Sequence, residues 1–144
     1  MRPLRFIEPL KSGFIQDTGI NMLGGLTPAE HLEKGDLLVV SRNEDSPRFS
    51  EVMDIRKDFV DFCVVLLMEN TFLMGAPDQK VMTDSGVKSL KDVETDQSLE
   101  GVDGNEVKVR GTNLRPYVIY AVSPITEDGK YGVKGISAVC PDEL

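Results

Sequence analysis

Histidine is nearly absent from this chain, cysteine is scarce and tryptophan is missing. His31 is the single histidine, Cys63 and Cys140 are the only cysteines, and tryptophan does not occur. Two isolated cysteines make no disulfide framework and no zinc cluster. Such sparse cysteine usage fits a reducing compartment. No Gly-x-Gly-x-x-Gly, phosphate-binding loop or His-Glu-x-x-His motif is found, so no cofactor and no metal are expected. Long apolar runs are missing as well. The longest, Cys63–Met68, is far too short to cross a bilayer. The opening Met1-Arg-Pro-Leu-Arg-Phe-Ile-Glu8 puts an acid where a signal peptide needs its apolar stretch. Basic charge is also in short supply, with 16 Lys and Arg against 24 Asp and Glu for a net −8. That balance argues against nucleic acid and against anionic membranes, and it favours solubility. The expectation is a soluble chain, cytoplasmic or in a virion, with no signal peptide.

What is present describes an ordinary globular domain. The 144 residues suit one domain, and a hydrophobic fraction of 40% with 28% charged residues supplies a core. Helical periodicity is scarce. Its best stretch is Thr27–Lys34, with Thr27 as cap, Pro28 at the first helical position and Glu30 as capping partner. Gly35-Asp36 ends it within two turns. The remainder reads as strands between turn residues. Expected strands are Leu37–Ser41, Phe49–Arg56 and Phe59–Met68 around Lys57-Asp58, then Thr71–Met74 and Lys80–Thr83. Ser98–Val102 and Glu106–Val109 form a hairpin about Asp103-Gly104-Asn105. Tyr117–Val122 and Tyr131–Val139 follow, separated by Asp128-Gly129. The polar turn Asn43–Pro47 breaks the first group. The fold class is all-β.

One internal echo stands out. Gly25-Leu-Thr-Pro-Ala-Glu-His-Leu-Glu-Lys-Gly-Asp36 resembles Gly86-Val-Lys-Ser-Leu-Lys-Asp-Val-Glu-Thr-Asp-Gln97. Each runs from a turn glycine through a short apolar turn, ending at Leu32 or Val93, into a polar turn and a strand. This is one unit used twice, and two such halves can bury a shared core.

Gly13-Phe-Ile-Gln-Asp-Thr18-Gly-Ile20 precedes the first unit, which leads through Asp36 into Leu37-Leu-Val-Val40. Ala76-Pro-Asp-Gln79 and an apolar strand precede the second. Gly135-Ile-Ser-Ala-Val139-Cys140 closes the series. In order and spacing these segments resemble the Hint superfamily of inteins, Hedgehog autoprocessing domains and bacterial relatives. The resemblance runs from about Ser12 to Cys140. It implies a Hint-like, pseudo-two-fold β domain of many short strands with one or two helical turns. That domain occupies 1–144, with a leading segment 1–11, a core 12–140 and a tail 141–144.

Members of that superfamily cleave themselves by an N-to-S or N-to-O acyl shift. A nucleophilic Cys or Ser attacks the carbonyl before it, and a Thr-x-x-His motif supplies hydrogen bonds and a proton. A terminal Asn then cyclises with help from a preceding His. Here Gly13 matches the nucleophile, Ala76 the Thr and Gln79 the His, while Val139 and Cys140 match His-Asn. Glycine has nothing to attack with, and glutamine does not titrate. Ser12 is a fallback nucleophile one residue away, usable only if the strand register slips. Splicing would join about twelve leading residues to Pro141-Asp-Glu-Leu144, leaving no folded domain to release.

These replacements lead to the expectation of a chain without enzymatic activity, a structural or assembly module working through protein–protein contacts. Because relatives of the fold occur in phage genomes, a virion component of tail or baseplate is expected. Its partners are protein subunits, with no nucleic acid, membrane or small-molecule substrate. The alternative is autocatalytic self-cleavage by Ser12 or Cys140. A ligand-binding β-barrel is a third class, but no segment marks a pocket. His31 reads as a solvated turn residue, Cys63 as a buried small hydrophobe, and Cys140 as structural, since Asp142 and Glu143 disfavour a thiolate. Asp78 reads as a turn acid; Asp58, Asp61 and Glu69, which flank apolar strands, read as solvated edge charges or gatekeepers.

Overall fold

The computed structural model describes residues 10–42 and 47–141. The start of the expected leading segment, the turn residues 43–46 and the tail from 142 lie outside the described residues. The chain runs from β1 (Phe14–Ile15) into a hairpin of β2 (Gly19–Met22) and β3 (Gly25–Pro28). A 3-10 turn at Ala29–His31 then leads to β4 (Leu37–Ser41). A long strand β5 (Arg48–Leu67) and β6 (Phe72–Gly75) follow. The same sequence of elements then recurs: hairpin β7 (Lys80–Thr83) and β8 (Gly86–Ser89), a 3-10 turn at Leu90–Asp92, and β9 (Ser98–Glu100). The described chain ends with β10 (Glu106–Lys108), the long β11 (Gly111–Thr126), β12 (Lys130–Val133) and β13 (Ile136–Val139).

The internal echo is a structural repeat. β2 and β3 pair from Gly19↔Pro28 to Met22↔Gly25; β7 and β8 pair from Lys80↔Ser89 to Thr83↔Gly86. Ala29 N donates to Thr18 O at 2.9 Å, as Leu90 N does to Gln79 O at 2.8 Å. Gly35 N bonds Val52 O on β5, as Asp96 N bonds Val109 O. Each unit therefore packs one apolar residue, Ala29 or Leu90, inward at its 3-10 turn and leaves as a strand.

Neither unit contains an α-helix. The expected Thr27–Lys34 helix shrinks to Ala29–His31, without a side-chain cap, because Leu32 returns to extended backbone to reach the core. Two further expectations are corrected. Phe49–Arg56 and Phe59–Met68 are one strand, β5, with Lys57-Asp58 inside it. Continuous pairing along β11 keeps that segment extended, and register shifts near Pro116 and Ile125 absorb the twist. Tyr131–Val139 is a hairpin rather than a single strand, since Lys134 and Gly135 both take positive φ.

β6 pairs with both β1 and β5, and β1 pairs with β11, so β5, β11, β1 and β6 close on themselves. The apolar run in β5 is continuous because it faces two cores. Val64 and Leu66 join the larger cluster with Phe14, Ile20, Leu38, Leu73, Leu90 and Tyr131. Cys63 and Val65 join a smaller one with Val60, Met74, Ala76 and Ala121. The segment before β1 and the end of β13 meet at Gln79, just before β7.

Candidate functional site

Backbone sterics at Gly13 shape the centre. Its φ is +114°, a region that favours glycine, and a Cβ there would lie 2.7–2.8 Å from the backbone of Ala121 and Val122 on β11. No side chain fits at this position. The same φ breaks the strand's alternation, so Ser12, Gly13 and Phe14 are all buried in succession. Ser12 therefore faces the centre without any slip of register, which removes the sequence-based objection to it.

Gln79 joins the segment before β1 to the end of β13. It follows the turn Ala76-Pro77-Asp78 and is fully buried. Its Oε1 accepts from Ser12 Oγ at 2.7 Å and from Gly13 N at 2.8 Å. Its Nε2 donates to Lys80 O at 2.7 Å and Val139 O at 3.1 Å. Ala76 N donates to Gly13 O at 2.9 Å, which clamps Gly13 from the opposite side. The five positions matched to chemical roles, Gly13, Ala76, Gln79, Val139 and Cys140, are thus brought to one centre together with Ser12.

Cys140 is buried there. Its thiol lies 3.4 Å from Thr126 Oγ1, whose own proton goes to Lys130 O, so the thiol is the donor. Burial pushes its pKa up, partly offset by the Thr126 hydrogen bonds. Tyr131 stands on edge to Phe14, with ring centroids 6.4 Å apart. Its hydroxyl is buried without a well-formed hydrogen bond. Burial pushes that phenol well above its usual range; Cys140 adds to the rise and the nearby Gln79 amide opposes it.

The backbone leading into the centre is held from β5. Asp58 Oδ2 accepts from Ser12 N at 2.9 Å, and Arg56 Nη2 donates to Leu10 O at 2.8 Å. Arg56 Nε lies 2.9 Å from Asp58 Oδ2. The pair brackets the Lys11–Ser12 peptide bond. Asp58 is therefore half-buried and engaged, not the solvated edge charge expected of it. A cleft of about 300 Å3 opens beside Lys11, between Phe62 and Pro77. Sequence reasoning missed Arg56, Asp58, Thr126 and Tyr131. The available signal was Arg56 and Asp58 two residues apart, which places opposite charges on one face of a strand.

The other singled-out residues lie elsewhere. His31, Asp61 and Glu69 are exposed, Cys63 is buried in the smaller core, and Asp78 pairs with Lys91 at 2.6 Å. Among the described residues no three His, Cys, Asp or Glu side chains converge as a metal site. No helix there is long and apolar enough to cross a membrane.

Neither family models nor curated proteins give a match to this chain. Solved structures do. An intein-like domain from Clostridium thermocellum superimposes with a TM-score of 0.79 at 15% identity, covering 90% of this chain and 99% of that one. A DnaB intein from Synechocystis sp. PCC 6803 gives 0.76 at 15% identity, over 91% and 100%. A variant of the Ssp DnaB mini-intein gives 0.77 at 13% identity, over 94% and 98%. These likenesses correct one expectation. The chain was expected to have no enzymatic activity, yet the solved structures that share its fold are inteins and an intein-like domain. Replacement at the matched positions is therefore no ground for excluding activity. The chain has the fold of these intein and intein-like domains, all-β and built as a repeated half.

Proposed function

We propose that this chain is a self-processing Hint domain whose Ser12 hydroxyl attacks the Lys11 carbonyl. One observation carries the reading: position 13 has no room for a side chain, while Ser12 Oγ sits in the buried centre 2.7 Å from Gln79. A bond forms between Ser12 Oγ and the Lys11 carbonyl carbon. The Lys11–Ser12 C–N bond breaks, its electron pair stays on the Ser12 nitrogen, and the hydroxyl proton ends there. The step isomerises an amide to an ester and consumes no co-reactant. Water then hydrolyses the ester and releases the segment ending at Lys11; the cleft beside Lys11 admits it.

Gln79 fixes the direction of the hydroxyl by accepting its proton in a hydrogen bond. It does not titrate, so it is no general base, and the reaction is slow. A reaction that happens once per chain tolerates this. A barrier of about 23 kcal/mol corresponds to about 10⁻⁴ s⁻¹, which is complete within hours. Cys140 is the weaker candidate, because its thiol is buried, hydrogen-bonded and raised in pKa.

Intact mass tests the reading. With hydroxylamine at neutral pH the 15.9 kDa species should give way to a shorter one over hours to days, and Ser12→Ala should abolish the change. A wild-type chain that stays whole for days contradicts it.

A second reading, a subunit working through protein contacts in an assembly such as a virion, is favoured by one feature. Phe59, Phe62, Leu114, Tyr117, Val118 and Tyr120 are exposed along the β5–β11 ribbon, where Phe59 and Tyr120 stack edge to face at 5.2 Å. Sedimentation at micromolar concentration should show species heavier than one chain, reduced by Phe59→Ser with Tyr120→Ser. A strict monomer contradicts it.

A further inference from the structure

We infer that Asp58 is the positioning residue that receives the α-ammonium released when Ser12 takes the acyl group. The inference rests on the acyl-shift reading and adds to it the group that draws the shift forward. An ester is less stable than an amide, so the shift needs something that favours its product. That product carries a new charge, because the freed Ser12 amine has an ordinary pKa of about 7.7–8.0 and is protonated at neutral pH.

The carboxylate is already at the atom where this charge appears. Asp58 Oδ2 lies 2.9 Å from Ser12 N, and the Asp58 side chain is only 15% exposed. In the amide it accepts one N–H. In the ester the same oxygen faces an ammonium, and the contact becomes a charge-assisted hydrogen bond in a partly dry site. Arg56 holds the carboxylate in place through Nε, at 2.9 Å from Oδ2 and 3.2 Å from Oδ1. Its far end is committed to Leu10 O at 2.8 Å. Arg56 is also a like charge to the ammonium, and it limits the gain without removing it. No step consumes Asp58; atoms and electrons balance as in the acyl shift itself.

Asp58→Asn separates this role from simple positioning, because an amide oxygen still accepts from Ser12 N but carries no charge. The test compares wild type, Ser12→Ala and Asp58→Asn as full-length chains at pH 7. Fragment release by hydroxylamine is followed by intact mass, and exchange of the Ser12 amide proton by NMR. An adjacent opposite charge shifts an amine by a pKa unit or more, so Asp58→Asn should release fragment about tenfold more slowly. Its Ser12 amide should stay protected, and Asp58→Glu should recover part of the rate. Release at the wild-type rate in Asp58→Asn, with Ser12→Ala inactive, overturns the role of Asp58 and leaves the Ser12 reading standing. Release that persists in Ser12→Ala, or no release from any chain, overturns the Ser12 reading and this inference with it.

Discussion

At Gly13 two independent constraints fall on one residue. Positive φ disfavours any L side chain, and the backbone of β11 occupies the space a Cβ would need. Gly13→Ala should therefore cost about 3 kcal/mol, well beyond a surface change, and lower the midpoint of denaturant unfolding accordingly. A cysteine at position 13 should fold no better, so placing a thiol at the position matched to the nucleophile is not expected to add activity. The buried thiols and phenol make a second prediction. Cys63, Cys140 and Tyr131 all have folded pKa values raised mainly by burial. A raised folded pKa means the folded chain holds its proton more tightly than the unfolded one. Stability is then complete below the unfolded pKa values and falls as pH rises above about 9. Urea midpoints at pH 7 and pH 10 should differ in that direction, with a smaller difference in Cys140→Ala.

At the scale of elements the repeat predicts matched energetics. Gly25 and Gly86 occupy the same hairpin position, at φ +128° and +105°, with nothing within 4 Å of a built Cβ. Replacing either by alanine brings strain but no clash. Each substitution should cost about 1 kcal/mol, and the two costs should agree within a few tenths. Unequal costs in thermal unfolding would show that the two halves hold their hairpins differently. The repeat was legible because its marks are local: turn glycines, an apolar residue and a polar turn at fixed spacing. The continuity of β5 was not legible. Lys57-Asp58 has the composition of a turn, and only the distant pairing partner β11 keeps it extended. Thr27 and Pro28 likewise read as a helix start, but Leu32 is needed in the core and the helix never propagates. Propensity lost to tertiary packing in both places.

At the scale of the molecule, the segment before β1 and the end of β13 are brought to Gln79, which touches both. The positions of this centre were legible in the sequence through the superfamily resemblance. The way its chemistry is distributed was not. A glycine at the expected nucleophile position read as a loss, because no sequence pattern reports that β11 backbone fills the space beside it. Nor does sequence report that the turn at Gly13 points Ser12 inward. Arg56 and Asp58 were hidden for a related reason, since their partners are backbone atoms far along the chain. In the proposed reaction the attacking residue decides which bond breaks. That bond can be read from the masses of the two fragments after hydroxylamine treatment. Attack by Ser12 predicts a hydroxamate ending at Lys11 and a second fragment that begins at Ser12. An uncut chain, or a second fragment beginning at any other residue, would contradict it.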